Sequence, residues 1–251
     1  MYEEHPVFNP PPLDAVLWRY MDFTKYVSLL EKQALFFARA DKLGDPFEGS
    51  YSKLNKALRP IFMQRAYGDK EIPESTLKNW ADGMKRIRQS TLINCWHENP
   101  YESAAMWKLY SREEDGIAIK TDFDSFKSSF ACSQSIYIGS VSYVDYESFF
   151  IPEQNDFSRY LHKRKSFEHE HEVRAINSRF PEQDDAVSMQ LYQDRINGAY
   201  YEVDLSLLIQ QVVIAPFAPD WFLELVKSIR ARYNFNFPVV KSTQADDPTW
   251  I

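Results

Sequence analysis

Short apolar runs that read as β-strands recur along this chain at irregular intervals, separated by helical stretches in some places and turns in others. Val16-Leu17-Trp18-Arg19-Tyr20, Leu35-Phe36-Phe37-Ala38, Leu92-Ile93-Asn94-Cys95-Trp96, Gly116-Ile117-Ala118-Ile119-Lys120 and Val212-Val213-Ile214-Ala215 are of this kind. A doubly wound parallel sheet needs strand and helix in regular alternation. The irregular mixture therefore predicts an α+β fold. Residues 1–14, with Asn9-Pro10-Pro11-Pro12, read as an irregular arm, because proline lacks the amide donor that helix and sheet require. Residues 15–251 carry no linker-like stretch and no repeat, so they are expected to form one domain.

Helices are expected where apolar positions recur every three or four residues. Tyr26, Leu29 and Leu30 mark one over 25–33, and Trp221, Phe222, Leu225, Ile229 and Tyr233 mark one over 219–233. Residues 52–90 read as helical with breaks at Pro60 and Pro73, and residues 147–170 carry charge and aromatics at helical spacing. Tyr137–Tyr146 reads as one strand, and residues 179–198 as a polar loop with a short helix. The expected core comprises Trp18, Leu29, Leu30, Phe37, Trp96, Trp107, Ile117, Ile119, Val173 and Ile214.

Charge narrows the partners. With 29 Lys and Arg against 36 Asp and Glu the net charge is −7, which argues against broad binding to DNA or RNA, since that needs a positive surface. No stretch is apolar enough for a membrane span, and the first residues lack the pattern of a signal peptide. Cys95 and Cys132 are too few for a disulfide framework or a zinc site, so a reducing cytoplasm is the expected compartment. Aromatics make up 16% of the chain, a surplus that suits a pocket stacking a planar ligand.

Candidate chemistry concentrates in three places. Glu170-x-Glu172 followed by Arg174 would, on a strand, project to one side, with the carboxylates about 7 Å apart. Such a row is either a solvated strand face or a carboxylate pair that binds ribose hydroxyls and steadies a developing positive charge. Arg19 is either a surface arginine packed on its aromatic neighbours or a fork for phosphate. The turn-rich segment Asp41–Gly49 contains Asp45-Pro46-Phe47-Glu48 and is expected to border the cleft. In it Phe47 would anchor in the core, and Asp45 and Glu48 would bond backbone or a basic side chain. The run Glu168-His169-Glu170-His171-Glu172 offers two same-face histidines, too few for a closed metal site. Cys95, between apolar neighbours, reads as a buried structural thiol.

Four segments together resemble a known bacterial family. "LWRYMDF…LLEKQALFFARADKLGDPFEG", "INCWHENPYESAAMWKLYSREEDGIAIKTDF", "VSYVDY" and "KSFEHEHEVRAI" are similar, in this order over roughly residues 16–215, to the domain of unknown function 2971. The departures are Gly44 for asparagine, His97 for serine, and Phe167 and Val173 for tryptophans. The layout also resembles the ADP-ribosyltransferase superfamily, which implies a split sheet and NAD as substrate, without a metal. By that resemblance Arg19 would hold NAD, Glu172 the nicotinamide ribose, and Glu170 would serve the acceptor side. Tyr20, Phe37 and Ser103 are candidates for the residue beside nicotinamide. Arg19 and Glu172 are then expected to face one pocket from strands lying side by side, with Arg19 paired to Glu170 or Glu172 until ligand displaces it. The implied activity is ADP-ribosyl transfer or NAD hydrolysis, as in a toxin or anti-phage effector with an unknown macromolecular acceptor or regulatory protein. Two readings compete: a non-catalytic sensor or partner-binding module, and a nuclease holding Mg²⁺ between Asp45, Glu48, Glu170 and Glu172.

Overall fold

The computed structural model of the chain describes residues 1–68, 73–111, 114–179, 189–191 and 193–248. In its first half β1 (Val16–Asp22), α1 (Phe23–Lys32) and β2 (Ala34–Arg39) are followed by α2 (Lys53–Tyr67), α3 (Glu74–Ser90), β3 (Thr91–Glu98), α4 (Ala104–Tyr110), β4 (Gly116–Asp122) and α5 (Phe123–Ser128). The second half contributes β5 (Tyr137–Ser140), β6 (Ser142–Val144), β7 (His162–Arg164), β8 (Glu172–Ser178), β9 (Gly198–Glu202), α6 (Leu205–Leu208), β10 (Gln211–Ile214), α7 (Asp220–Arg232) and β11 (Val239–Lys241). Nine strands form one sheet in the order β11-β10-β4-β1-β3-β2-β9, with β8 on β3 and β5 on β8. Among the described residues only β10 and β11 run parallel within it. This is an α+β fold: a mostly antiparallel mixed sheet with flanking helices. Among the described residues no helix is long and apolar enough to cross a membrane.

Local chemistry sets the helix starts. Asp22 accepts the Lys25 amide at 2.8 Å and Asp122 accepts the Ser125 amide at 2.7 Å, each capping the helix that leaves its strand. Tyr26, Leu29 and Leu30 then bury one face of α1. All ten positions expected in the core are buried in one cluster.

The feature that shapes the molecule is the uneven pairing of β3. On one edge it pairs with β8 from Thr91↔Ser178 to His97↔Glu172. On the other edge it meets β2 only at Leu92 and Ile93, and β1 only at His97 and Glu98. Between them β1 and β2 part, and no strand of this sheet pairs with Asn94, Cys95 and Trp96 on that side. Side chains bridge the gap. Asn94 Nδ2 donates to the Phe36 carbonyl at 2.8 Å, and Arg19 Nη1 donates to the Cys95 carbonyl at 2.8 Å.

Several expectations are corrected. Pro60 lies inside α2 rather than breaking it. Residues 147–170 form turns, two 3₁₀ segments (Ser158–Tyr160 and Lys165–Glu170) and β7, not a helix. Their helical spacing of aromatics has another cause: Tyr160 and Leu161 pack inward beneath the arm's Phe8, and Phe157 lies against it. The stretch Tyr137–Tyr146 is two strands, β5 paired to β8 and β6 paired to β7. Trp221 is 66% exposed, because Phe222 and Val226 carry the buried face of α7. Of the polar segment 179–198, residues 180–188 and 192 lie outside the described residues. Residues 1–14 are irregular in backbone but held, with Tyr2 bridging Ile136 and Phe8 buried.

Gly49 closes the turn after Glu48 with φ of 65°, and a Cβ there would stand 2.3 Å from Tyr160 Cε1. Tyr160 is fully buried and cannot swing aside. Gly49→Ala is therefore expected to lower stability by about 1–3 kcal/mol, read as a lower urea midpoint with an unchanged slope.

Candidate active site

Where β1 and β2 part, a cleft of about 720 Å³ opens. Arg19 and Tyr20 line it from β1, Phe36 from β2, and Cys95 and His97 from β3. Because β3 pairs with β8 on its other edge, Cys95 stands opposite Arg174 and His97 opposite Glu172. Asp45 and Glu48 close one side from the loop after β2.

The cleft holds a buried ionic cluster. Glu172, 7% exposed, receives Lys163 Nζ on Oε1 at 2.6 Å and Arg174 Nε on Oε2. Lys163 Nζ also donates to Glu170 Oε2. Tyr110 donates its hydroxyl to Glu170 Oε1 at 2.7 Å. Arg174, 1% exposed, gives Nη1 and Nη2 to the two oxygens of Glu48 at 2.7 and 2.9 Å, and Nη1 also reaches the Tyr160 carbonyl at 2.7 Å. The Glu172 amide donates to the Tyr143 hydroxyl at 2.7 Å. Asp45 takes Arg164 Nη2 at 2.8 Å and, on the same oxygen, the Phe47 amide at 3.0 Å.

These partners set opposite charge preferences for the two glutamates. Burial would raise Glu172, but the charge of Arg174, then the contact with Glu170 and the charge of Lys163, hold it well below the usual carboxylate range. Burial and the adjacent charge of Glu172 push Glu170 up. Burial pulls Arg19 down to about 10, so it stays charged at neutral pH. Its guanidinium lies 5.9 Å from the Trp96 ring and has the Cys95 carbonyl as a hydrogen-bond partner. No carboxylate among the described residues pairs with it. Cys95 is half-buried rather than buried, and burial followed by the Glu172 charge raises its thiol, so it is not a poised nucleophile. Burial lowers His97, whose Nδ1 lies 2.6 Å from the Glu170 carbonyl.

Arg19, Tyr20, Asp45, Glu48, Glu170, Glu172 and Arg174 thus line one cleft. Phe37 does not: it is fully buried, edge-on to Tyr201, and strand alternation presents Phe36 to the cleft instead. Phe47 is 42% exposed and lies outside the core, with its ring against Tyr146 and the Arg164 guanidinium 4.4 Å from its centroid. Ser103 caps α4 and gives its amide to the Tyr20 hydroxyl at 2.9 Å. Nor does Arg19 pair with either glutamate, because Lys163 takes that place. β1 and β8 are not neighbours, since β3 runs between them.

Glu170, Glu172 and Arg174 are not a strand row either. Glu170 ends the 3₁₀ segment, His171 takes a left-handed φ of 38°, and only Glu172 and Arg174 belong to β8. Sequence reasoning missed Lys163, Tyr110, Arg164 and His97. A charge-rich stretch before Glu170 was the only signal for Lys163, and nothing in it selects that lysine over Lys165. The four carboxylates that a Mg²⁺ site would use all border the cleft, but each already holds Arg or Lys. A divalent ion would have to displace those cations.

No protein-family model matches the chain, and the search of curated proteins gave no match. The resemblance to the domain of unknown function 2971 thus rests on its quoted motifs. Among solved structures, that of Thermus sp. 2.9 DarT in complex with ADP-ribosylated ssDNA is similar over 95% of this chain and 98% of that one. Identity is 10% and the TM-score 0.42. The likeness is one of overall α+β layout and bears no weight for the site.

Proposed function

We propose that the cleft binds NAD and cleaves its nicotinamide–ribose bond, passing ADP-ribose to an acceptor or to water. One observation carries this reading. A charged Arg19 without a carboxylate partner among the described residues and a clamped, ionised Glu172 line the same cleft, which opens at the split of the sheet. Arg19 would take the diphosphate, for which a guanidinium fork is suited. Phe36 and Tyr200, with ring centroids 5.1 Å apart, both line the cleft and offer flat apolar surface to a base. Phe36 thereby replaces Phe37 as the β2 aromatic of the site. As nicotinamide leaves, positive charge grows on the ribose, and Glu172 stabilises it more than it stabilises the ground state. The acceptor's nucleophilic atom bonds to the anomeric carbon, nicotinamide departs with the bond's electron pair, and the acceptor's proton passes to Glu170 or water.

The test is release of nicotinamide from NAD by the purified protein, alone and with protein or nucleic-acid acceptors, single-stranded DNA among them. Arg19→Ala is expected to raise KM for NAD roughly 10- to 100-fold with a smaller change in kcat, as loss of a charge-assisted contact should. Binding of NAD without turnover would favour the sensor reading, and neither binding nor turnover would end the proposal.

A further inference from the structure

We propose that Lys163 is the positioning residue of this site: its ammonium, lodged between Glu170 and Glu172, fixes both carboxylates and holds the pair ionised. The inference rests on the NAD reading and adds a residue to it. Lys163 comes from β7, a three-residue strand outside the main sheet. Its ammonium donates to Glu170 Oε2 and Glu172 Oε1, and lies 4.5 Å from the centre of the Phe167 ring. It is 8% exposed. A lysine this buried costs free energy to desolvate and persists only where partners compensate.

The charge count shows what it does. Glu48, Glu170 and Glu172 against Lys163 and Arg174 give −3 + 2 = −1. Arg174 is already divided between Glu48 and Glu172, so Lys163 is the cation shared by the two glutamates. Without it the count is −3 + 1 = −2, and the pair would have to take up a proton. The groups that remain would not stop this. Tyr110 donates a neutral hydroxyl to Glu170, His97 touches only its carbonyl, and Tyr143 accepts from the Glu172 amide. Cys95 keeps its proton. Lys163 thus keeps Glu172 ionised for the sugar, and Glu170, whose charged form burial disfavours, depends on the same ammonium to stay able to take the acceptor's proton.

The experiment compares wild type, Lys163→Arg, Lys163→Met and the double variant Lys163→Met with Glu170→Gln. The double variant restores the count to −2 + 1 = −1 and guards against loss of fold. Two readouts are needed: the pH profile of NAD turnover, and titration of the Glu170 and Glu172 side-chain carboxyls by carbon NMR. Lys163→Met should cut kcat roughly 10- to 100-fold, move the acid limb of kcat to higher pH and raise the pH at which the carboxyls titrate. The double variant should bring the limb back toward wild type, and Lys163→Arg should retain it. A purely packing role predicts lost activity in proportion to unfolded protein with an unmoved limb, and that result overturns the inference. So do carboxyl titrations identical in wild type and Lys163→Met. If wild type leaves NAD intact the functional reading fails, and the carboxyl titrations still decide the role of Lys163.

Discussion

If the cleft turns over NAD as proposed, Glu172→Gln is expected to yield a folded protein whose turnover is reduced by roughly 100- to 1,000-fold or more. The substitution keeps the shape and changes the charge count of the cluster from −3 + 2 = −1 to −2 + 2 = 0, so no buried carboxylate is left without a cation. The amide still offers one oxygen to Lys163 or Arg174. What disappears is the negative charge near the reacting sugar, and removing a single preorganised electrostatic contact of this kind costs about 3–4 kcal/mol in the transition state. KM should move little, because Arg19 and the aromatic walls remain. The check is a steady-state nicotinamide-release assay beside a thermal melt. A folded Glu172→Gln protein with wild-type kcat would remove Glu172 from the chemistry.

Arg174→Met has the largest expected effect on stability. Its guanidinium reaches both oxygens of Glu48, one of Glu172 and the Tyr160 carbonyl, and all four residues are buried. Without it Glu48 loses both charged contacts and Glu172 keeps Lys163 alone. Breaking a buried pair from one side costs roughly 3–5 kcal/mol, far more than the pair adds over a well-packed apolar replacement. The loss should appear as a lower denaturant midpoint at pH 7. Acid sharpens the test. Glu172 sits below its unfolded value, so its contribution is full above about pH 4.3 and declines as pH falls from there toward the depressed folded value. Without Arg174 that folded value rises, and the variant gains less from ionising Glu172. The stability gap between wild type and Arg174→Met should therefore narrow as the solution is acidified. A gap independent of pH would mean that the arginine acts by packing alone.

Much of this architecture is legible in the residue order. The apolar strand runs and the spacing of Tyr26, Leu29 and Leu30 locate the core, because burial follows local periodicity. Arg19, Glu170, Glu172 and the Asp45–Glu48 turn stand out because charged groups beside apolar strands need partners. What the order does not reveal is pairing across distance. Whether Phe36 or Phe37 meets the cleft depends on which face of β2 the sheet covers, a matter of register. Lys163 becomes the partner of Glu170 and Glu172 only because β7 leaves the main sheet and passes beside the cleft. Nor does the pattern show His171 turning left-handed, which converts an expected strand row into two carboxylates on different elements.

That turn gives the two glutamates unequal mechanical footing. Glu172 is stitched into β8, whose ladder runs against β3 on one edge and against β5 on the other. Glu170 and Lys163 ride on a 3₁₀ segment and a short strand paired only to β6. Sheet interiors open with nearly the full unfolding free energy, whereas short, singly paired segments open with far less. One carboxylate is therefore anvil and the other hammer: Glu172 is fixed to the scaffold, whereas Glu170 and Lys163 stand on segments that open more easily, and any such opening withdraws one of the two cations that hold the Glu172 charge.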